Sequence, residues 1–308
     1  MIRTAFVRVV LLASMLLTAA PAWAGDGQSL LKYLPANSKL VLNVNVAALR
    51  PTQTYQIAAN TLRNTNTFQN AQTKLGNLDP NLIDTILISN IDQNPDDPQL
   101  LVVLEGRFNK AQIEAECAKR TEVTKETFEN VPMWVAGPRE AAGFAADNII
   151  VIGSKEAVAA AIKGAPTAPA DAIGRFGALS AHLRAVDKTQ EVWFATSVSQ
   201  RTAARNPQVA GYKAIRGAID IGAGMSLNAV ATMDSADTAA RRATEISANV
   251  SASAAAPELR AFGLQPVFQS TRAAATGADI TITSGPYDQG VWTQMVRTFS
   301  AVLAEEIR

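Results

Sequence analysis

Hydrophobic and polar positions alternate along residues 40–46, with Leu40, Leu42, Val44 and Val46 set against Val41, Asn43 and Asn45. A period of two predicts a strand with one wetter face. Residues 51–75 lose that pattern: Gln, Asn and Thr dominate, with Tyr55, Leu62, Phe68 and Leu75 as sparse apolar anchors. One or two surface helices, ended by Gly76-Asn77, fit this stretch. Two β-branched and Leu-rich runs follow, 84–91 and 99–107, separated by Asp92-Gln93-Asn94-Pro95-Asp96-Asp97-Pro98. They predict a hairpin with a turn-rich loop. Asn109 and Gln112 fit an N-cap opening a helix through Arg120; strands are expected over 131–136 and 143–152, and Ser154 caps a helix over 155–163.

Gly164-Ala165-Pro166-Thr167-Ala168-Pro169 reads as a linker, after which the element order repeats. A connecting helix over 173–186 leads to a strand over 191–198 and a short polar helix. The strand pair 214–221 and 224–233 turns at Gly222-Ala223-Gly224. Asp234 and Asp237 supply a cap for an Ala-rich helix through Val250; strands over 267–275 and 278–283 and a closing helix over 289–307 complete the chain. In the closing helix Trp292, Met295, Val296, Phe299 and Leu303 recur at spacings of three and four, so one face should pack on a sheet. The expected fold class is α+β. It consists of two similar modules, 25–169 and 170–308, each an antiparallel sheet with helices packed on one face.

The first 24 residues follow a different logic. Arg3 and Arg8 give a basic start, 9–20 an apolar stretch, and Ala22-Trp23-Ala24 a small-x-small cleavage site, so the mature chain is expected to begin at Gly25. Pro21 interrupts the apolar run before it reaches the ~18 to 20 residues of a spanning helix, so no stable membrane span is expected after cleavage. The charge balance, 28 basic against 27 acidic residues, tips to a slight acidic excess once Arg3 and Arg8 leave. Without a basic stripe, nucleic-acid binding is excluded. Cys117 is the one cysteine, so no internal disulfide forms despite an oxidising destination. Its place four residues after Ile113 on a helix suggests a buried small hydrophobe.

Leu31-Lys32-Tyr33-Leu34-Pro35-Ala36 stands before a strand, and Leu104-Glu105-Gly106-Arg107-Phe108 before a capped helix; Asp147-Asn148 is followed by Val151-Ile152-Gly153-Ser154. In these segments the chain resembles a family of uncharacterised exported bacterial proteins. The resemblance implies a bacterial periplasmic or secreted setting and brings no assigned activity and no functional residues.

The residues themselves exclude several chemistries. The one histidine, His182, lies at the margin of an apolar helix face formed by Phe176, Leu179, Leu183 and Val186, and no Gly-x-Ser-x-Gly elbow accompanies it. Ser154-Lys155 are adjacent, not spaced as Ser-x-x-Lys. One His and one Cys do not make a zinc set. Asp92, Asn94, Asp96 and Asp97 cluster, but the glycine and terminal Glu of a calcium loop are missing. No cofactor or phosphate loop is read. Trp134, Trp193 and Trp292 are expected in the core.

Carboxylate pairs remain. Glu105 near a strand end and Asp147 opening a strand are the candidates, with Arg107 as an anion contact. The sequence therefore points to an exported non-enzymatic binding or structural protein of the bacterial envelope, with an unknown protein or small ligand as partner. A carboxylate-dependent hydrolase of an envelope or extracellular polymer is the alternative.

Overall fold

In the computed structural model of the 308-residue chain, the residues described are 27–53, 55–56, 59, 79–90, 100–137, 140–164, 172–206, 209–222, 224–261, 263–288 and 290–291. The expected leader with Ala24 and Gly25, the acidic stretch 92–97, residues 165–169 of the expected linker and the part of the expected closing helix beyond Val291 lie outside them. The strands are β1 (Leu40–Asn45), β2 (Ile83–Asn90), β3 (Leu100–Gly106), β4 (Thr124–Phe128), β5 (Val131–Val135) and β6 (Ala141–Ala146). They continue with β7 (Ile149–Gly153), β8 (Val192–Ser197), β9 (Tyr212–Asp220), β10 (Met225–Met233), β11 (Arg272–Thr276) and β12 (Asp279–Tyr287). The fold is mixed α and β, built on one 12-stranded sheet in the order β11-β12-β10-β9-β8-β1-β2-β3-β7-β6-β5-β4. Every neighbouring pair is antiparallel.

The sheet halves meet where β1 pairs β8, with Leu42 opposite Phe194 and Asn43 opposite Trp193. Burial on both sides explains the composition of the central strands: Val41, Ile86, Leu87, Leu101, Val103 and Trp193 are fully enclosed. Alternate residues feed different cores. Val41, Leu87, Val103 and Trp193 join one, whereas Val44, Ile86, Ile88 and Leu104 join the other.

Helices occupy both faces of the first half, rather than one face as the sequence suggests. On the first face lie a 3-10 turn (Gln28–Tyr33) and α3 (Lys155–Gly164), and the same face continues into the second half under a second 3-10 turn (Ala172–Phe176) and α4 (Leu179–Ala185), which packs on β8 and β9. On the second face lie α1 (Val46–Leu49) and α2 (Lys110–Ala118), whose Ile113 packs there with Phe108. In the second half, α5 (Gln200–Arg205) follows β8, and α6 (Ala236–Ala255), α7 (Pro257–Ala261) and α8 (Gln265–Ser270) follow β10. Ala239, Ala243 and Ile246 of α6 meet Ala231, Met233 and Ile280 of the sheet. Small residues on both sides let helix and sheet approach closely.

Caps read from the sequence hold where a short polar side chain precedes the turn. Asn109 Oδ1 accepts from the Gln112 N–H at 3.1 Å, and Ser154 Oγ from the Ala157 N–H at 3.2 Å. For α6 the cap is Ser235, whose Oγ accepts from the Thr238 N–H at 3.2 Å, not Asp234 or Asp237.

Several elements depart from the sequence reading. The span 143–152 is two strands, because Asp147 and Asn148 form the turn between β6 and β7. Asp147 therefore does not open a strand. β4 has the sequence Thr-Lys-Glu-Thr-Phe and is largely exposed, so no buried stripe announces it. It pairs with β5 through a turn in which Glu129 and Asn130 both take positive φ, as a two-residue hairpin turn requires. Between α2 and α3 there are thus four strands where two were expected. At 265–270 a helix replaces the start of an expected strand, with Pro266 in its first turn. The supposedly wet face of β1 is dry: Asn43 is 0% exposed and Asn45 9%. Its strand is central and layered on both sides, which a period of two cannot reveal.

Candidate functional site

The end of β3 gathers the charged residues of interest. Arg50, just after α1, is buried, and its Nη1 lies 2.7 Å from Asp84 Oδ1 while Nη2 donates to the Ile83 carbonyl. Asp84 sits at a register shift in β2, between Ile83 opposite Gly106 and Thr85 opposite Glu105. The bulge turns its carboxylate toward the two arginines. Arg107 Nε lies 3.4 Å from Asp84 Oδ2, and its Nη2 donates to the Asn81 carbonyl at 2.7 Å. The proposed anion contact is thus satisfied by a carboxylate of the chain itself.

Glu105 belongs to a different environment. It is half-buried, opposite Thr85 on β2 and Ile149 on β7. Burial, then the charge of Asp84, pushes its carboxyl above the usual range, with Thr85 acting in the opposite direction. Nearby Tyr33 has its phenol raised by burial and by Glu105.

Along the same face, Thr85 stands opposite Asn45, and Asn43 lies two residues further along β1. The side-chain oxygen and nitrogen of Asn43 are buried without a hydrogen-bond partner, whereas the Thr85 hydroxyl is directed at Glu105. Gly27, in the left-handed region at φ 72°, crosses directly over Asn43, where a Cβ would collide with the amide oxygen. These buried polar residues escaped the sequence reading as a site. Their signal was the two asparagines on an otherwise apolar strand.

Asp147 lies elsewhere, in an open depression lined by Phe108, Asn109, Lys110, Ala111, Glu114 and Asp147. The β6–β7 turn reaches the end of β3 through Gly106 N–H donating to the Asn148 carbonyl at 3.0 Å. The fold therefore brings Glu105, Arg107 and Asp147 to one end of the sheet but distributes them among distinct surroundings. Glu114 in the same lining is 3.4 Å from Lys125.

Other candidates have structural roles. His182 is half-buried, with Nδ1 3.4 Å from Arg216 Nη1. Burial, followed by the Arg216 charge, depresses its pKa and favours the neutral ring. Cys117 is half-buried rather than buried, because no residue of α2 is fully enclosed, and burial raises its thiol pKa. Trp193 is fully buried, whereas Trp134 is half-buried with Lys125 Nζ 5.3 Å above its ring. Among the described residues, no cluster of three or more His, Cys, Asp or Glu is placed to hold a metal. No described helix is long and apolar enough to cross a membrane.

Among the described residues, no helix packs on one face of β10, β12 and β11. On β10, β12 and β11, Asn228 aligns with Thr283 and Arg272, and Val230 with Thr281 and Ala274. Asn228, Thr281, Thr283, Arg272 and Ala274 are all exposed. α6 packs against the opposite face, through Ala231 and Ile280. Elsewhere the face that bears Asn228 carries α3 and the first 3-10 turn in the first half and α4 over β8 and β9 in the second.

No protein-family model and no curated protein matches the chain. Among solved structures, crystal form III of TP0453 is similar with a TM-score of 0.53 and 6% identity, over 88% of this chain and 97% of that one. Crystal form IV of TP0453 gives 0.50 and 7%, over 88% and 96%. At such identities the likeness is one of fold alone, and it extends over most of both chains.

Proposed function

We propose that the protein is an exported, non-enzymatic binding or structural component of the bacterial envelope, periplasmic or secreted, built from two like modules over 25–169 and 170–308. The duplication is supported by the strand order. Running outward from the β1–β8 junction, β1-β2-β3-β7-β6 on one side is matched by β8-β9-β10-β12-β11 on the other. The binding reading rests on the exposed face of β10–β12, where Asn228, Thr281 and Thr283 stand side by side across the strands. Flat hydroxyl- and amide-bearing surfaces suit contact with another macromolecule better than enclosure of a small reactant.

The test uses the mature protein beginning at Gly25, assayed for binding to isolated envelope fractions and polymers. A Thr281→Lys/Thr283→Lys double variant should weaken that binding at least ~10-fold, about 1.4 kcal/mol. Binding indifferent to those changes would count against this face. Export itself is tested by the N-terminal residue of the protein recovered outside the cytoplasm, expected at Gly25.

The alternative, a carboxylate-dependent hydrolase, draws on Asp147 and Glu114 sharing one depression. It requires polymer cleavage that Asp147→Asn or Glu114→Gln abolishes.

A further inference from the structure

We propose that the open edge of β11 is a self-association surface, where a second copy adds its own β11 antiparallel and extends the sheet across a two-fold axis. The two outer strands of the sheet differ in a way that points to this edge. β4 is an edge strand defended by charge: Lys125 and Glu126 stand mid-strand, and Glu126 is fixed to Lys155 at 2.6 Å. β11 reads Arg272-Ala273-Ala274-Ala275-Thr276, with neither Lys nor Pro, and its register with β12 runs unbroken from Arg272 to Thr276. Ala274, Ala275 and Thr276 are exposed. Unpaired backbone N–H and C=O groups on such a strand are a template for another strand, and three alanines offer no steric obstacle.

Charge complementarity selects a second copy as the occupant. With the two-fold axis through Ala274, Arg272 stands opposite the partner's Thr276 on the same face. Thr276 is itself directly opposite Asp279 on β12. Arg272, the partner's Thr276 and the partner's Asp279 therefore form one cross-strand row. At ~4.8 Å per strand the two charged residues are about 10 Å apart at Cα, a gap that an Arg and an Asp side chain close together. The two-fold makes this ion pair twice. Both groups are available: Asp279 is 42% exposed, its Oδ1 takes the Thr232 hydroxyl, and its Oδ2 is 4.0 Å from Arg216. Arg272 uses Nη1 on the Gln269 and Thr271 carbonyls, leaving the rest of its fork open. Pairing would also place the open Thr and Asn faces of the two copies side by side as one surface.

Five residues a side bury well under the ~1,000 Å² of a stable interface, so the dimer is weak and exchanges rapidly. Sedimentation velocity of the mature protein from ~5 µM to ~1 mM should show mass rising toward twice the monomer, less so at high salt. Arg272→Glu and Asp279→Arg should each loosen association at least ~10-fold. Mixed together, the two variants should associate again, because Glu faces Arg in one row and Arg faces Asp in the other. In a Cys117→Ser background, Ala274→Cys should form a covalent dimer on mild oxidation and Thr276→Cys should not. Arg272→Glu is exposed and keeps the test valid should Asp279→Arg fold poorly. A wild-type protein monomeric to ~1 mM overturns the proposal. So does an association that ignores Arg272→Glu, or one that crosslinks at position 276 in preference to 274.

Discussion

Arg50 Nη1 sits 2.7 Å from Asp84 Oδ1, tying the chain just after α1 to the bulge of β2, with the arginine side chain 1% exposed and the aspartate 17%. Withdrawing one charge of a buried pair costs ~3–5 kcal/mol, and because Arg107 stays beside Asp84 the loss here falls at the lower end. Arg50→Met should therefore lower unfolding free energy by about 3 kcal/mol in urea titrations. Arg107→Ala removes a partner of the same carboxylate from a half-exposed position and should cost no more than about 1 kcal/mol. Equal losses for the two would contradict this division of the cluster.

Glu105 gives the protein a pH signature. Its carboxyl is raised in the folded state by burial and by Asp84, so the fold prefers the protonated form. The folded chain then binds more proton than the unfolded one, and stability from this group is present below the unfolded pKa and declines as pH rises through the folded one. Glu105→Gln should be more stable than wild type at pH 7 and equal to it near pH 3. Thermal midpoints across that range check the sign.

Asn43 invites a substitution that improves stability. Both polar atoms of its amide are buried without a partner, which carries a desolvation penalty of ~1–3 kcal/mol, and Leu has nearly the same shape. Asn43→Leu should raise the urea midpoint with no change in the slope of the transition. A loss of stability instead would mean that the amide has a hydrogen-bonding role in solution.

Trp193 fills the core where the two halves of the sheet meet, opposite Asn43 on β1 and Ala218 on β9. Trp193→Ala should cost ~3–5 kcal/mol. Because both halves pack around it, unfolding should remain one cooperative transition by fluorescence and circular dichroism. Separate transitions would show two modules that fold independently.

Much of the local structure was legible because local rules govern it. Asn109 and Ser154 cap their helices wherever they are placed in space, and the apolar runs of β2, β3 and β10 are strands by their own composition. β4 was hidden because an exposed edge strand needs only a partner, and in Thr124–Phe128 only Phe128 packs against the core. The carboxylates could be named from sequence, yet their surroundings could not. Glu105 and Arg107 are two residues apart in the chain, but Arg107 meets Asp84 while Glu105 faces Thr85 and Tyr33.

The sequence alone determines an α+β chain with capped helices, hairpins and no internal disulfide, because these depend on residue type and short spacing. Only the tertiary structure decides that β1 joins β8 to make one sheet, that Asn43 is dry, and that β11 is an outer strand of the described sheet. Strand neighbours are fixed by contacts between residues far apart in the chain, such as Leu42 with Phe194, and no local period records them.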